Sequence, residues 1–347
     1  MGASALDGRR EERIRLAHGG GGTWMQALIA QELLPLYDDP SQALHDAARL
    51  DLPHGRLAFS TDSYVVTPLE FPGGDIGRLA VCGTCNDLAM AGARPRLLSL
   101  GLILEEGLEL ETLRRIVASV GQAARECGVS IVTGDTKVVE RGKADGLYIN
   151  SSGIGLLEAS DPIGPEAIRA GDQLLVSGDL GRHGIAVLAA RHGLQLEPVL
   201  ESDCAPLWPL VRELLRAGVS PHCLRDLTRG GLASALHELA DASGLVMALQ
   251  EERLPVTAPV SRCCELLGLD PLDLANEGRC LVLVAQEDLD NALALLRPLG
   301  GDWVGEVRHP SRSAGSQDSI GRVLMQTRYG SERVLVPSSG ELLPRIC

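Results

Sequence analysis

The sequence predicts an α/β protein of two domains followed by a tail, and three observations carry that prediction. A length of 347 residues with 45% apolar side chains fits two cores of ordinary size better than one. Strand-like and helix-like stretches alternate in both halves, and Pro162, Gly164, Pro165 and Gly171 cluster between the halves as a hinge. Aromatic residues make up only 3%, so the cores are aliphatic, and 40 glycines, above the ordinary share of about 7%, call for tight loops that approach backbone or ligand.

The elements follow in order. After Leu16-Ala17-His18 comes the run Gly19–Gly22, expected as a loop that stays mobile or closes over something, and then a helical pattern from Met25 to Leu34 that Pro35 stops. Leu57 to Val66 reads as a strand, and Asp62 in its middle goes against propensity, so a partner or ligand is expected there. Gly77 to Ala91 reads as a helix carrying Asn86-Asp87, followed by a strand at Leu97 to Leu104 and a helix at Leu110 to Cys127. A strand at Val129 to Val132 is expected to end in Thr133-Gly134-Asp135-Thr136-Lys137, small and charged residues at a strand end, where α/β layers carry their sites. Leu147 to Leu157 closes the first half as a strand.

The second half opens on a strand, Gln173 to Ser177, then Gly178–Gly184 leading into a helix. The run Asp226-Leu227-Thr228-Arg229-Gly230-Gly231 precedes a helix at Leu232 to Ala242; glycine-rich entry to a helix leaves free N–H groups that favour anions. Strands are expected at Leu245–Leu249, Leu281–Ala285 and Val304–Val307, with helices at Pro259–Leu267 and Asp288–Leu296. The stretch Pro337–Cys347 holds Pro337, Ser338, Ser339, Gly340 and Pro344, a mix for extended or irregular chain that could reach roughly 30 Å. It ends in Cys347, whose thiol a flexing backbone can carry into a site. The adjacent α-carboxylate disfavours the thiolate and Arg345 only partly offsets it, so Cys347 reads as a tether whose activation comes from elsewhere.

Composition excludes several function classes. A net charge of −14 leaves no basic face for nucleic acid or an anionic membrane, and an anionic substrate would need metal ions here. Met1 to Arg15 lacks the apolar core of a signal peptide, and no run of roughly 18 apolar residues follows, so a soluble, cytoplasmic chain with no membrane partner is expected. Nine scattered cysteines suit a reducing compartment. Cys82 and Cys85 form a C-x-x-C pair, but a second pair for a four-thiolate zinc site is missing, and buried packing is the simpler reading.

Asp62, Asp87, Asp135 and Asp226 each fall in a separate strand-end or glycine-rich context. Singly, each could be a cap or a surface residue. Brought together they would repel unless divalent cations lay between them, and magnesium with a nucleoside triphosphate supplies both the cation and the missing ligands. Neither G-x-x-x-x-G-K-[ST] nor G-x-G-x-x-G occurs, so the P-loop and dinucleotide folds do not apply.

Phe59-Ser60-Thr61-Asp62-Ser63-Tyr64-Val65, Phe71-Pro72-Gly73-Gly74, Cys82-Gly83-Thr84, Thr133–Val139, Asp226–Gly231, Ala275-Asn276-Glu277-Gly278 and Pro344-Arg345-Ile346-Cys347 together resemble the HypE family, the carbamoyl dehydratases of [NiFe]-hydrogenase maturation. That family is similar to the aminoimidazole ribonucleotide synthetase superfamily. The resemblance runs from about Ile14 to Cys347 and implies a two-domain α/β (α+β) fold. It implies a glycine-rich segment at 1–40, an ATP-binding and dimerisation domain at 41–160, an α+β domain at 161–320, and a strand with a flexible tail at 321–347. It also implies a homodimer, the carbamoyltransferase HypF and the HypC–HypD complex as partners, and ATP with Mg2+ as cofactors. The implied reaction is ATP-driven dehydration of an S-carbamoyl group on Cys347 to a thiocyanate whose cyanide passes to iron.

By the same resemblance Cys347 carries the cargo, Glu277 and Lys137 are the bases, and Asn86, Thr133, Gly134, Thr136 and Lys137 contact nucleotide. Asp62, Asp87, Asp135 and Asp226 hold magnesium and phosphate. On the residues alone, a plain ion pair is the favoured reading of Glu277 and Lys137. Two other functions stay open at this stage: a phosphotransferase on a small free substrate, and a carrier that presents its thiol to a partner.

Overall fold

The computed structural model describes residues 13–20, 22–36, 55–310, 322–337 and 345–347. Gly21 of the glycine run, residues 338–344 of the expected irregular tail, and the expected domain boundaries at 40/41 and 320/321 lie outside the described residues.

Helix α1 (Thr23–Leu28) passes into a wider turn at Ile29–Leu33 and a tight one at Leu34–Leu36. Pro35 therefore sits within the last turn; it has no N–H to bond back, and the chain changes pitch around it. Strand β1 (Leu57–Tyr64) leads through the short hairpin of β2 (Glu70–Phe71) and β3 (Gly74–Asp75) into α2 (Ile76–Met90). Then follow β4 (Ala93–Glu105), α3 (Leu110–Cys127), β5 (Ser130–Val139) and β6 (Leu147–Leu157). These strands form a sheet in the order β1-β6-β4-β5, antiparallel except for the parallel β4–β5 pair.

Asp75 caps α2 by accepting from the backbone N–H groups of Gly77 and Arg78 at 2.7 and 3.0 Å. Nearly every residue of α2 is buried, because the sheet covers one side, α3 another and the second domain a third. Helix α3 is one-sided: Leu113, Ile116, Val120, Ala123 and Cys127 form the stripe that packs inward, and Gly128 ends it in the left-handed region at φ 68°.

The other face of this sheet carries no helix among the described residues. Leu57, Phe59, Thr61 and Ser63 of β1 stand opposite Leu156, Ile154, Ser152 and Asn150 of β6, and the rows continue through Leu97, Ser99, Gly101 and Ile103 into β5. There they end at Thr133, Asp135 and Lys137. Phe59, at 69% exposed, is a large apolar ring left in solvent on this face.

The second half contains β7 (Gln173–Val176), α4 (Arg182–His192), α5 (Trp208–Arg216), β8 (Cys223–Asp226), α6 (Gly231–Ser243), β9 (Val246–Gln250) and α7 (Ala258–Leu267). It continues with β10 (Cys280–Val284), α8 (Leu289–Leu296), β11 (Asp302–Arg308), β12 (Val323–Gln326) and β13 (Glu332–Leu335). The sheet order is β13-β12-β9-β11-β7-β10-β8, with only β12–β9 parallel. Its central strands are buried on both faces: Leu174, Val176, Leu281 and Leu283 pack with α6, and Leu175, Val282 and Val284 pack with α5 and α8.

Two expectations need correction. Strand β5 does not stop at Val132 but runs through Thr133–Lys137 to Val139, because β4 extends to Glu105 and keeps pairing with it, Ser99 with Thr133 through Glu105 with Val139. Helix α5 is a further element beyond those expected; its Pro209 falls in the first turn, where no N–H is needed.

Candidate active site

Strand β1 points Ser60, Asp62 and Tyr64 away from the open face, toward α2 and the second domain. Helix α2 presents Asp87 to them, and the Ser60 hydroxyl donates to Asp87 Oδ2 at 2.6 Å. From the second domain come Asp226 at the end of β8 and the turn Thr228-Arg229-Gly230 that enters α6. Gly231 at φ 58° packs where a Cβ would lie 2.5 Å from the carbonyl oxygens of Leu272 and Leu274, so only glycine lets this turn close.

Glu277 enters from the loop before β10. It is 2% exposed, and its Oε1 has no hydrogen-bond partner. Its backbone is held firmly: Asp203 accepts from the N–H groups of Glu277 and Gly278 at 3.1 and 3.4 Å, and Asn276 bonds the backbone of Gly181, Leu227 and Leu274. Asn86 Nδ2 donates to the carbonyl oxygens of Glu277 and Ala205, both at 3.1 Å, while its Oδ1 accepts from Leu207 N–H. Asn86 thus spends its polar atoms joining α2 to the second domain, behind the site.

The segment Arg345–Cys347 lies in the same cleft. Ile346 is 4% exposed and joins the first domain's core, the Val65 N–H donates to Cys347 O at 3.2 Å, and the Thr67 N–H donates to Arg345 O at 3.3 Å. Arg345 adopts φ 56°, the left-handed region, and is held by an ion pair with Asp145 and by stacking over Tyr148 at 5.9 Å. The cleft measures about 750 Å³, and its walls include Asp62, Asp87, Asp226, Arg229, Glu277 and Cys347.

The electrostatics follow from burial among acids. Burial, aided by Cys204, Asp203, Asp226 and Asp87, holds the Glu277 carboxyl well above the usual carboxylate range, which makes it a stronger base than an exposed carboxylate. Burial, a hydrogen bond with Asp62 and the charge of Asp226 push Asp87 up to about 8. Burial raises Asp226 as well, with Arg225 opposing and Asp62 adding. The Cys347 thiol is pushed up to about 12, first by burial and then by Glu277, with Arg229 opposing. The docked sulfur is therefore a thiol, not a nucleophile.

The raised Asp87 and Asp226 carboxyls, with Asp62 beside them, fit a site for divalent positive charge. Among the described residues no group of three or more His, Cys, Asp or Glu side chains is close enough to hold a metal ion by itself. The acids fit a metal whose other ligands come with a substrate, such as phosphate oxygens.

The single chain thus brings together Asp62, Asp87, Asp226, Glu277 and Cys347. Thr133, Gly134, Asp135 and Lys137 stand apart, on the strand at the opposite edge of the first sheet from β1. Lys137 Nζ pairs with Asp135 at 2.9 Å, both side chains being 64% exposed, so within one chain Lys137 does not meet Glu277. Thr136 points the other way and is buried. The glycine run lies against this strand, where a Cβ on Gly19 would come 2.9 Å from Val138. Cys82 and Cys85 are buried thiols on α2, beside Cys127 and Cys204. Sequence reasoning missed Asp203 and His183. No signal marked Asp203, whereas His183 stood in a glycine-rich strand-to-helix turn that could have been read.

The AIR synthase related protein models match this chain, the N-terminal domain over residues 44–157 and the C-terminal domain over residues 169–315. Carbamoyl dehydratase HypE of Rhodobacter capsulatus is 48% identical over 343 residues, covering 97% of this chain and 99% of that protein. A crystal structure of hydrogenase maturation protein HypE in complex with ATP is 48% identical, with a TM-score of 0.89 over 96% of this chain and 99% of that one. The crystal structure of a HypE–HypF complex includes a chain that is 40% identical, with a TM-score of 0.76 over 91% of this chain and 100% of that one. With a cleft lined by acids between two such domains and relatives of this identity along nearly the whole length, the chain belongs to the HypE family of carbamoyl dehydratases.

Proposed function

We infer that this protein uses ATP to dehydrate an S-carbamoyl group carried on its own Cys347 to S-cyanocysteine, a donor of cyanide for the iron of a [NiFe]-hydrogenase. The observation that carries the reading is the docked Cys347, whose thiol points into the cleft that Glu277, Asp62, Asp87 and Asp226 line. A carbamoyl added to that sulfur would sit among these acids. The ATP complex of a relative supports ATP as the second substrate.

The chemistry explains why a nucleotide is needed. Hydroxide is a poor leaving group, so the carbamoyl oxygen attacks the γ-phosphorus and ADP departs. Loss of both amide protons and cleavage of the C–O bond then expel phosphate and leave the S–C≡N group. The carbamoyl oxygen ends in phosphate, so the atoms of one water leave the cargo. Mg2+ held by Asp62, Asp87 and Asp226 would neutralise charge on the phosphates. Glu277, buried and rigidly held, is placed to take or pass an amide proton.

Lys137, Asp135, Thr133, Gly134 and Thr136 enter through a second copy of the chain. The open sheet face with exposed Phe59, Leu57 and Ile103 is suited to a homodimer, and its far edge would carry the partner subunit's Lys137 and Asp135 toward this cleft. Lys137 then serves as the second base and Asp135 as a further metal ligand. HypF is the partner that loads Cys347, as the complex of a relative supports, and the HypC–HypD complex receives the cyanide. Loading is assigned to the undocked tail, where the thiol is free of the burial that pushes it up to about 12 in the cleft. A phosphotransferase acting on a small free substrate is disfavoured, because the chain's own Arg345–Cys347 segment forms part of the cleft wall.

Mixing carbamoylated protein with Mg-ATP and weighing the C-terminal peptide tests the reading. Loss of one water supports it, and an unchanged mass leaves only a carrier.

A further inference from the structure

Helix α4 turns three residues spaced one turn apart, His183, Val187 and Arg191, to the segment Arg345–Cys347. His183 is fully buried, and its Nε2 lies 2.9 Å from the carbonyl oxygen of Ile346. A carbonyl only accepts, so Nε2 carries the proton. Nδ1, 2.8 Å from Ser202 Oγ, is then the acceptor; the Ser202 hydroxyl donates to it while accepting from the Cys204 N–H at 3.1 Å. Burial lowers the imidazole pKa against the pull of Asp203 and the Ile346 carbonyl, which keeps the ring in this neutral form.

One turn on, Val187 is wholly buried in the core cluster that also holds Ile346. A further turn on, the Arg191 guanidinium donates to the carbonyl of Arg345 at 2.6 Å and to that of Thr67 at 2.9 Å. The opposite wall is the chain after β1, where the Val65 and Thr67 N–H groups donate to Cys347 and Arg345. Two donors flank a buried valine along one helix face, His183 matched to Ile346 and Arg191 to Arg345. Packing alone would not require this arrangement, since a His183 without the Ile346 carbonyl would leave a buried N–H unpaired.

We propose that the His183–Val187–Arg191 face of α4 is the binding site for the chain's own Arg345-Ile346-Cys347 segment, with His183 and Arg191 as the positioning residues that set the thiol in the cleft. The proposal rests on the reading that Cys347 moves between a loading position outside and a reacting position inside. Releasing the grip therefore has opposite effects on the two steps: it exposes the thiol for loading and slows dehydration of the loaded group. A purely structural role would not give that split.

The test uses the intact, unloaded protein without nucleotide. Native protein is treated with iodoacetamide, and glutamyl endopeptidase then cuts after Glu341 to release Leu342–Cys347 for weighing, with half-exposed Cys263 as the internal control. His183→Ala and, separately, Arg191→Met should raise the Cys347 rate at least about tenfold while the Cys263 rate holds. His183→Gln, which keeps a donor near Nε2, should restore most of the protection. Arg191 is only half-buried, so its variant keeps the test alive if His183→Ala fails to fold. Wild-type Cys347 rates in the folded variants overturn the proposal. A faster rate together with unaltered dehydration of the loaded protein supports this docking site and instead removes the cargo role assigned to the docked thiol.

Discussion

Asp62 on β1 and Asp87 on α2 stand within hydrogen-bond contact across the cleft, and burial, that contact and the charge of Asp226 hold Asp87 at about 8 in place of an ordinary carboxyl value. The folded value is raised above the unfolded one, so between about pH 4 and about pH 8 the native state binds a proton that the unfolded chain has lost. Stability of the nucleotide-free protein therefore falls as pH rises through that window. Asp87→Asn should flatten the fall and raise the unfolding temperature at the alkaline end. Scanning calorimetry across the window checks this, and an unchanged slope removes Asp87 as its source.

Glu277→Gln should leave folding intact, because an amide of the same shape suits a buried site that already disfavours the charged carboxylate. Loss of a positioned acid–base group should slow dehydration by about 10²- to 10⁴-fold while ATP binding persists. Single-turnover mass analysis with parallel nucleotide titration separates the two. Full-rate product formation would remove Glu277 from the chemistry.

Lys137→Ala should also stall dehydration, although Lys137 stands on the far edge of the sheet from this cleft. If the reacting site is shared between copies, mixing Lys137→Ala with Glu277→Gln protein under subunit exchange should restore about a quarter of the sites, since half the dimers are mixed and each has one intact site. Phe59→Asp, on the open face, should give a monomer that neither exchanges nor dehydrates. Ultracentrifugation reads the first outcome and product mass the second, and an active monomer would falsify the shared site.

Ile346→Ala should weaken tail docking by about 2 kcal/mol, roughly 30-fold, through lost burial at a site only 4% exposed. Global stability should barely change. Hydrogen exchange at the Val65 and Thr67 amides, which donate to the tail, measures this directly. Undiminished protection would mean that the apolar contact does not hold the segment.

Cys347→Ala should keep the fold and abolish the cyano product. Intact-mass measurement and thermal unfolding together decide it, and a large drop in unfolding temperature would make the tail structural.

Much of this was legible in the chain. Helix α3 and strand β6 were readable to the residue, since their apolar periods are clean and Gly128 marks the helix end. Asp62 announced itself by breaking a β-forming run, and the cleft explains it. Strand β5 was misread because small polar residues look like a loop; pairing with β4 overrides local propensity there.

By itself the sequence determined the alternating elements, the aliphatic cores, the acidic set and the family, because periodicity, glycine runs and short motifs are local properties of the chain. Tertiary structure alone decided that Cys347 rests inside a cleft as an unreactive thiol, that burial raises the proton affinity of Glu277, that His183 and Arg191 grip the tail, and that Lys137 faces away. Burial and the meeting of residues far apart in sequence arise only when the sheets and helices pack, and both proton affinity and reach depend on those two things.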